Sequence, residues 1–323
     1  MTAPYDYHIG VDYHKSYSHL IVQDSCGKTL RSGRVKNDRQ SLGSFLERYR
    51  QNSHAVMEAT RNWMVMYDWL DDICDDVVLA HPLKVKAIAD AKIKTDKIDA
   101  TVLAHLLRAD LVPEAWAPGD RVRELRLALR ERMFYVRLRT MTKNRVVTVF
   151  DRVQIDRGLE FIGDINERIK QSEATIRAMT KTNGKVKLLK TIPGIGEFFA
   201  RLIDAEIDDI SRFRNPKKLA AYAGLVPSTY SSGGKTYHGK IIKQGNKWLR
   251  WAFVEAVQPA IATDPQLRAQ YEHLKFRGVN KARVAIARKL LTITFQILRD
   301  QRPYERRGTN SKEGPSSTIS RLS

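Results

Sequence analysis

Four carboxylates stand out by their positions. Asp12 closes the apolar run of IGVD, Glu58 lies near the end of another in VMEAT, and Asp96 and Asp99 stand three apart in KTDKIDA. A spacing of three on a helix turns two carboxylates to one side. Carboxylate oxygens are the hard ligands that Mg²⁺ takes. Two such ions about 3.5–4 Å apart stabilise the attacking and leaving oxygens of a phosphoryl transfer. A strand-end acid, a second strand-end acid and a helical pair are the parts such a site needs. Asp96 also has a plainer reading, because Thr95 before it fits an N-cap and acids favour a helix's first turn.

Two further stretches carry chemistry. Pro193-Gly194-Ile195-Gly196 stands between helical segments and resembles the hairpin of a helix-hairpin-helix module. There Gly194 and Gly196 would let backbone approach a phosphate, and the next helix's amides would bind it. The same residues read equally as an ordinary tight turn. Residues 221–253 are rich in Ser, Gly and Lys, yet Tyr230, Tyr237 and Trp248 make them a poor flexible linker. A phosphate-binding GxxxxGK[ST] loop ending in Gly234-Lys235-Thr236 would need glycine at 229, where Thr229 stands, so no nucleotide cofactor is expected. A serine beside glycines, with Lys235, His238, Lys240 and Lys243 nearby, fits a nucleophile facing nucleic-acid phosphate. It also fits a polar loop residue.

The elements that must position these groups follow from the apolar pattern. Residues 8–12, 19–24 and about 29–37 read as strands, with a hairpin turn over 25–28. Residues 41–50 have helical spacing, 54–60 a fourth strand, 62–73 a helix and 75–82 a fifth strand. Helices open near Lys84 and Thr95. This is an α/β order, and also that of a ribonuclease H-like fold.

Residues 119–150 differ in kind. Leu125, Leu129, Met133 and Val136 keep helical spacing. Between them stand Arg121, Arg123, Arg126, Arg130, Arg132, Arg137, Arg139, Lys143 and Arg145, opposed by Glu124 and Glu131. Residues 159–182 give a second helix with Phe161, Ile162, Ile165, Ile169 and Ile176 as its stripe. Together they suggest a helical coiled-coil arm, its cations either meeting nucleic acid or forming a solvated face. From Lys185 the chain reads as mostly helical, and beyond Gln301 as a tail without structure. The expected divisions are 1–117, 118–184, 185–300 and 301–323.

Composition narrows the class. Fifty-six Lys and Arg against 36 Asp and Glu leave a net charge of +20, which implies a polyanionic partner. No apolar run approaches the ~18 residues of a membrane span. The N-terminus does not read as a secretory signal. Cys26 and Cys74 cannot supply a disulfide framework or a zinc site, so a reducing cytoplasm is the simplest compartment.

The order IGVD, MEAT, KTDKIDA, IPGIG, AGLVPSTYSSGG and GNKWLR resembles the IS110-family or DEDD transposases, related to the pilin-inversion recombinases, from about residue 7 to about 300. The resemblance implies a RuvC-like N-terminal domain in which Asp12, Glu58, Asp96 and Asp99 hold two Mg²⁺ ions. It implies a coiled-coil arm and a mainly α C-terminal domain with a catalytic serine. Tyr230-Ser231-Ser232-Gly233 matches the family's segment, and alignment on Gly224 and Pro227 selects Ser232, with Ser231 adjacent. It implies donor and target DNA as substrates, a structured noncoding bridge RNA as guide, and a homo-oligomer, dimeric or tetrameric, whose site takes acids from one protomer and serine from another. It places the protein with the nucleoid of a prokaryotic cytoplasm. Two other readings compete: a metal-only RuvC-like nuclease using water, and a non-catalytic nucleic-acid-binding protein.

Overall fold

The computed structural model describes residues 5–60, 62–89, 95–149, 151–181, 183–232, 235–242 and 244–306. The chain divides into two compact units, Met1–Ala117 and Pro118–Ser323.

The first unit is built on a five-stranded sheet. Its strands are β1 (Tyr7–Tyr13), β2 (Tyr17–Asp24), β3 (Thr29–Lys36), β4 (Ser53–Glu58) and β5 (Asp76–Ala80), in the order β3-β2-β1-β4-β5. The strand β2 runs antiparallel to both its neighbours, while β1, β4 and β5 run parallel. The helices are α1 (Arg39–Leu46), α2 (Trp63–Asp71), α3 (Pro82–Ile88) and α4 (Asp96–Arg108). Successive side chains of a strand point to opposite faces, and both faces here are apolar. Ile9, Val11, Leu20, Val22, Ala55 and Met57 pack with Leu42 and Leu46 of α1 and Met66 and Leu70 of α2. On the other face, Val56 and Ala80 meet Val85 of α3 and Leu103, Leu106 and Leu107 of α4, and Ile21 meets Ala100 and Ala104.

One glycine sets how closely α4 approaches. A Cβ on Gly10 of β1 would lie 2.0 Å from the Ala100 carbonyl oxygen and 2.8 Å from the Ala104 nitrogen. The helix backbone therefore rests on the strand backbone, and only a residue without a side chain fits between them.

The second unit opens with α5 (Asp120–Val147) and α6 (Arg152–Met179). Arg132 bonds Glu173 and Arg139 bonds Asn166, while Gly158 sits against Val146, so the two helices run antiparallel as a hairpin. Ile162, Ile165, Ile169 and Ile176 are buried as their spacing predicts. Phe161, expected in the same stripe, is 47% exposed because it falls one residue off that face. Then follow α7 (Gly184–Leu189), α8 (Glu197–Ile207), α9 (Pro216–Tyr222), β6 (Pro227–Ser232), β7 (Lys235–Ile241), α10 (Lys247–Thr263), α11 (Pro265–Lys275) and α12 (Val279–Asp300) around one large core.

Two features depart from the sequence expectation. The stretch read as a poor flexible linker within a mostly helical region contains a β-hairpin, β6 pairing antiparallel with β7 from Pro227↔Ile241 to Ser232↔Lys235. Its β-branched and aromatic residues, Thr229, Tyr230, Thr236 and Tyr237, favour extended backbone. The expected structureless tail does not begin at 301. Tyr304 packs against the core, its hydroxyl donates to Asp264 Oδ2 (2.9 Å) and its amide to Thr191 Oγ1 (2.8 Å). One tyrosine, bonded to the buried Asp264 and to the exposed Thr191, holds residues 301–306, and 307–323 lie outside the described residues. Among the described residues no helix is long and apolar enough to cross a membrane.

Candidate functional site

The close packing at Gly10 brings the acids together. Two residues beyond Gly10, β1 reaches Asp12 on the same face of the sheet. One turn before Ala100, α4 begins with Asp96 and Asp99, held by Thr95 as N-cap, its Oγ1 accepting from the Ile98 amide at 3.2 Å. The neighbouring parallel strand pairs Met57 with Val11, so the next residue, Glu58, ends β4 in step with Asp12. The two acids thus stand side by side at the carboxyl ends of two neighbouring interior strands.

A histidine completes the cluster. His14 Nε2 lies 3.0 Å from Asp12 Oδ2 and 3.3 Å from Asp96 Oδ1. One ligand atom each from Asp12, His14 and Asp96 fall within 4.8 Å of one another. The His14 nitrogen is buried, yet neither approach has the alignment of a hydrogen bond. Tyr17 donates its hydroxyl to the other Asp96 oxygen at 3.0 Å, and Arg34 lies over the Tyr17 ring at 3.3 Å. Burial pushes the Asp12 carboxyl above its ordinary range; His14 opposes this, while Asp99 and Asp96 add to it. The Tyr17 hydroxyl holds the exposed Asp96 carboxyl below its ordinary range.

These groups fit a divalent cation. Two carboxylates, Asp12 and Asp96, converge on a buried imidazole nitrogen that meets neither in full hydrogen-bond alignment, while Asp99 and Glu58 lie outside this three-residue cluster. A cation within the cluster would answer the two carboxylates and the nitrogen together. Asp99 lies near enough to act on Asp12 electrostatically. The sequence reading missed His14 and Tyr17. The signal for His14 was available, since it stands two residues after Asp12, just past the end of β1.

The remaining candidates are spread through the second unit. Arg126 and Arg130, expected to face nucleic acid, turn inward onto Glu206, which is fully buried. Arg126 donates to the Ala205 and Glu206 carbonyls (2.8 and 3.2 Å), and Arg130 to Glu206 Oε1 at 2.9 Å. Asn246 donates to Glu206 Oε2 at 2.7 Å, and its Oδ1 caps α10. A buried carboxylate must be paired, and these arginines meet that need, so the structure commits them to the fold. Arg123 pairs with Asp120 one turn away. Arg121 is exposed and reaches the Met179 carbonyl at 3.4 Å.

Gly194 has a positive φ of 82°, and a Cβ there would stand 2.3 Å from the Ala256 carbonyl oxygen of α10. It is glycine because the turn and α10 require it. Gly196 caps α8 and faces open space. The carboxylate of Glu197 at that helix start is paired with Lys190 and Arg201. Ser232 ends β6 and Lys235 begins β7, though their side chains lie outside the described part. Lys240 is exposed on β7, and Lys243 lies outside the described residues.

Comparison with known proteins gives this arrangement its class. A DEDD-type IS110 transposase model matches residues 9–155, and the transposase IS116/IS110/IS902 family model matches 186–272. The pilin gene-inverting protein of Moraxella bovis is 30% identical over 266 residues, covering 79% of this chain and 82% of that protein. The transposase for insertion sequence element IS1111A of Coxiella burnetii is 32% identical over 150 residues, 45% of this chain and 39% of that protein. A putative transposase of Sinorhizobium fredii is 24% identical over 347 residues, 91% and 89% of the two chains. The protein is a transposase or site-specific recombinase, an enzyme acting on DNA. More closely, the chain belongs to the IS110 family of DEDD transposases.

Proposed function

We propose that this enzyme cuts and rejoins donor and target DNA through a serine nucleophile assisted by a divalent cation. The observation that carries the cation half is the convergence of Asp12 and Asp96 at the carboxyl end of the central strand, with Asp99 acting on Asp12 and Glu58 level with it on the next strand. The strand order β3-β2-β1-β4-β5 supports reading this unit as RuvC-like. In such a fold the cation would be held by Asp12 and Asp96, flanked by Asp99 and Glu58. When bound, the cation would supply charge stabilisation at the scissile phosphate, and Mg²⁺ is the ion the family resemblance implies.

Ser232 is the nucleophile in this reading. Its Oγ forms a bond to phosphorus as the bond to the 3′ oxygen breaks. The serine proton leaves, and the 3′ oxygen gains one to become a hydroxyl, so a 5′-phosphoserine ester remains. The 3′-hydroxyl of the other DNA partner then attacks that ester, and Ser232 recovers its proton. One phosphodiester is exchanged for another, so no nucleotide cofactor is required. The α5–α6 hairpin serves as the coiled-coil arm, with exposed Arg137, Lys143 and Arg145 available to phosphate. The +20 charge and the family resemblance support a bridge RNA as guide, a homo-oligomeric assembly, and action in the cytoplasm.

Trapping covalent DNA tests this reading. Protein, its cognate RNA, divalent cation and nicked DNA are incubated and denatured in detergent. A protein–DNA adduct is expected in wild type and not in Ser232→Ala. Cleaved DNA without any adduct would replace the serine mechanism with hydrolysis. Full cleavage by Asp12→Ala would remove the metal site.

A further inference from the structure

His14 has no part in the mechanism above, yet its backbone is held on both sides. Its amide donates to the Tyr17 carbonyl at 3.0 Å, and its carbonyl accepts from Asn37 Nδ2 at 2.8 Å. Asn37 is itself fixed by Ser18, whose hydroxyl donates to Asn37 Oδ1 at 2.7 Å. The His14 ring lies 5.0 Å from that of Tyr17, the residue that orients Asp96. One turn between β1 and β2 therefore fixes both the imidazole and, through Tyr17, one of the acids.

The distances carry chemistry. Ligands at right angles around an ion, with bonds of about 2.1 Å, stand about 3.0 Å apart. The nitrogen–oxygen separations here are 3.0 and 3.3 Å, the edges of such a polyhedron. A hydrogen bond would account for one of these distances, and His14 does act on both carboxylates, but Nε2 is buried and meets neither in full hydrogen-bond alignment.

We infer that His14 Nε2 is a direct ligand of the cation held by Asp12 and Asp96, and that this nitrogen makes the site prefer Mn²⁺ to Mg²⁺. The inference rests on the metal-site reading above and adds to it a ligand and an ion preference. Mg²⁺ takes oxygen ligands and gives up its waters reluctantly. Imidazole favours transition-metal ions, so exchanging a water for a nitrogen tilts the site toward Mn²⁺. Tyr17 and Asn37 are the outer partners that keep the ligands in place.

Pulsed electron paramagnetic resonance of Mn²⁺ bound to the full chain tests this directly. Wild type is expected to show ¹⁴N modulation from one coordinated imidazole. His14→Asn and His14→Gln are expected to lose it while still binding Mn²⁺ more weakly. Competition by Mg²⁺ should then become about tenfold more effective. Mn²⁺ bound without nitrogen coupling, coupling that survives both substitutions, or an unchanged Mn²⁺/Mg²⁺ ratio would overturn the role of His14 and leave the carboxylate site standing. A wild-type chain that binds no Mn²⁺ at all would overturn both.

Discussion

At Glu206 the chain surrounds a fully buried carboxylate with Arg126, Arg130 and the Asn246 amide. At Asp12 it surrounds a half-buried carboxylate with more carboxylate. In the first place every lone pair that matters is answered from within, and nothing external is required. In the second Asp99 and Asp96 add to the charge, and among the described residues His14 stands against it out of hydrogen-bond alignment. A folded chain retains such an imbalance where something else will correct it. The same side-chain chemistry is thus structural in one unit and, in the function proposed here, holds a cation in the other.

Substitutions should separate the two carboxylates by sign as well as size. The largest loss of stability is expected for Glu206→Ala, which leaves two guanidinium groups facing inward without their acid. It should cost about 3–5 kcal/mol in urea unfolding. Asp12→Asn should leave the unfolding midpoint unchanged or raised, because a poorly solvated charge is removed. Strand cleavage should nonetheless fall by about 10²–10³, or roughly 3–4 kcal/mol of barrier. Equal destabilisation by both changes would break the contrast.

Cation and pH sharpen it next. The raised Asp12 carboxyl means that the folded chain keeps a proton the unfolded chain has released. Without cation, stability should therefore fall as pH rises from the ordinary carboxylate range through the raised value. Divalent cation at a hundred times its dissociation constant should add about 2.7 kcal/mol at pH 7. That gain should vanish on acidification through the same window, as thermal unfolding at a series of pH values would show. Smaller still, Gly10→Ala must push α4 off β1, at a cost of about 1–3 kcal/mol. It should weaken Mn²⁺ binding measured by calorimetry, because Asp96 moves with the helix. Thr95→Ala removes one cap and should cost about 1 kcal/mol of thermal stability.

Much of the first unit was legible because its strands are short, apolar and separated by turn residues. The acids at the ends of β1 and β4 could be picked out for the same reason. The hairpin from Pro227 to Ile241 was not read as strands, because its serines and glycines hid the β-branched and aromatic pattern. The inward turn of Arg126 and Arg130 was out of reach. Their partner lies 76 to 80 residues away, and nothing local distinguishes an arginine that will find a buried acid from one that faces water. Tyr304 was masked in the same way by a polar, aperiodic neighbourhood.

The helix α10 acts as a gauge bar. At one end Asn246 anchors it, with its backbone N–H donating to the Tyr222 carbonyl at 2.7 Å, close to where the chain enters the hairpin whose first strand ends at Ser232. Ten residues along, Ala256 receives the turn at Gly194. The two attachment points are therefore about 15 Å apart on one rigid rod. Neither can shift its spacing without the other, and one residue inserted between them would swing the PGIG turn by about 100° around the bar relative to the hairpin.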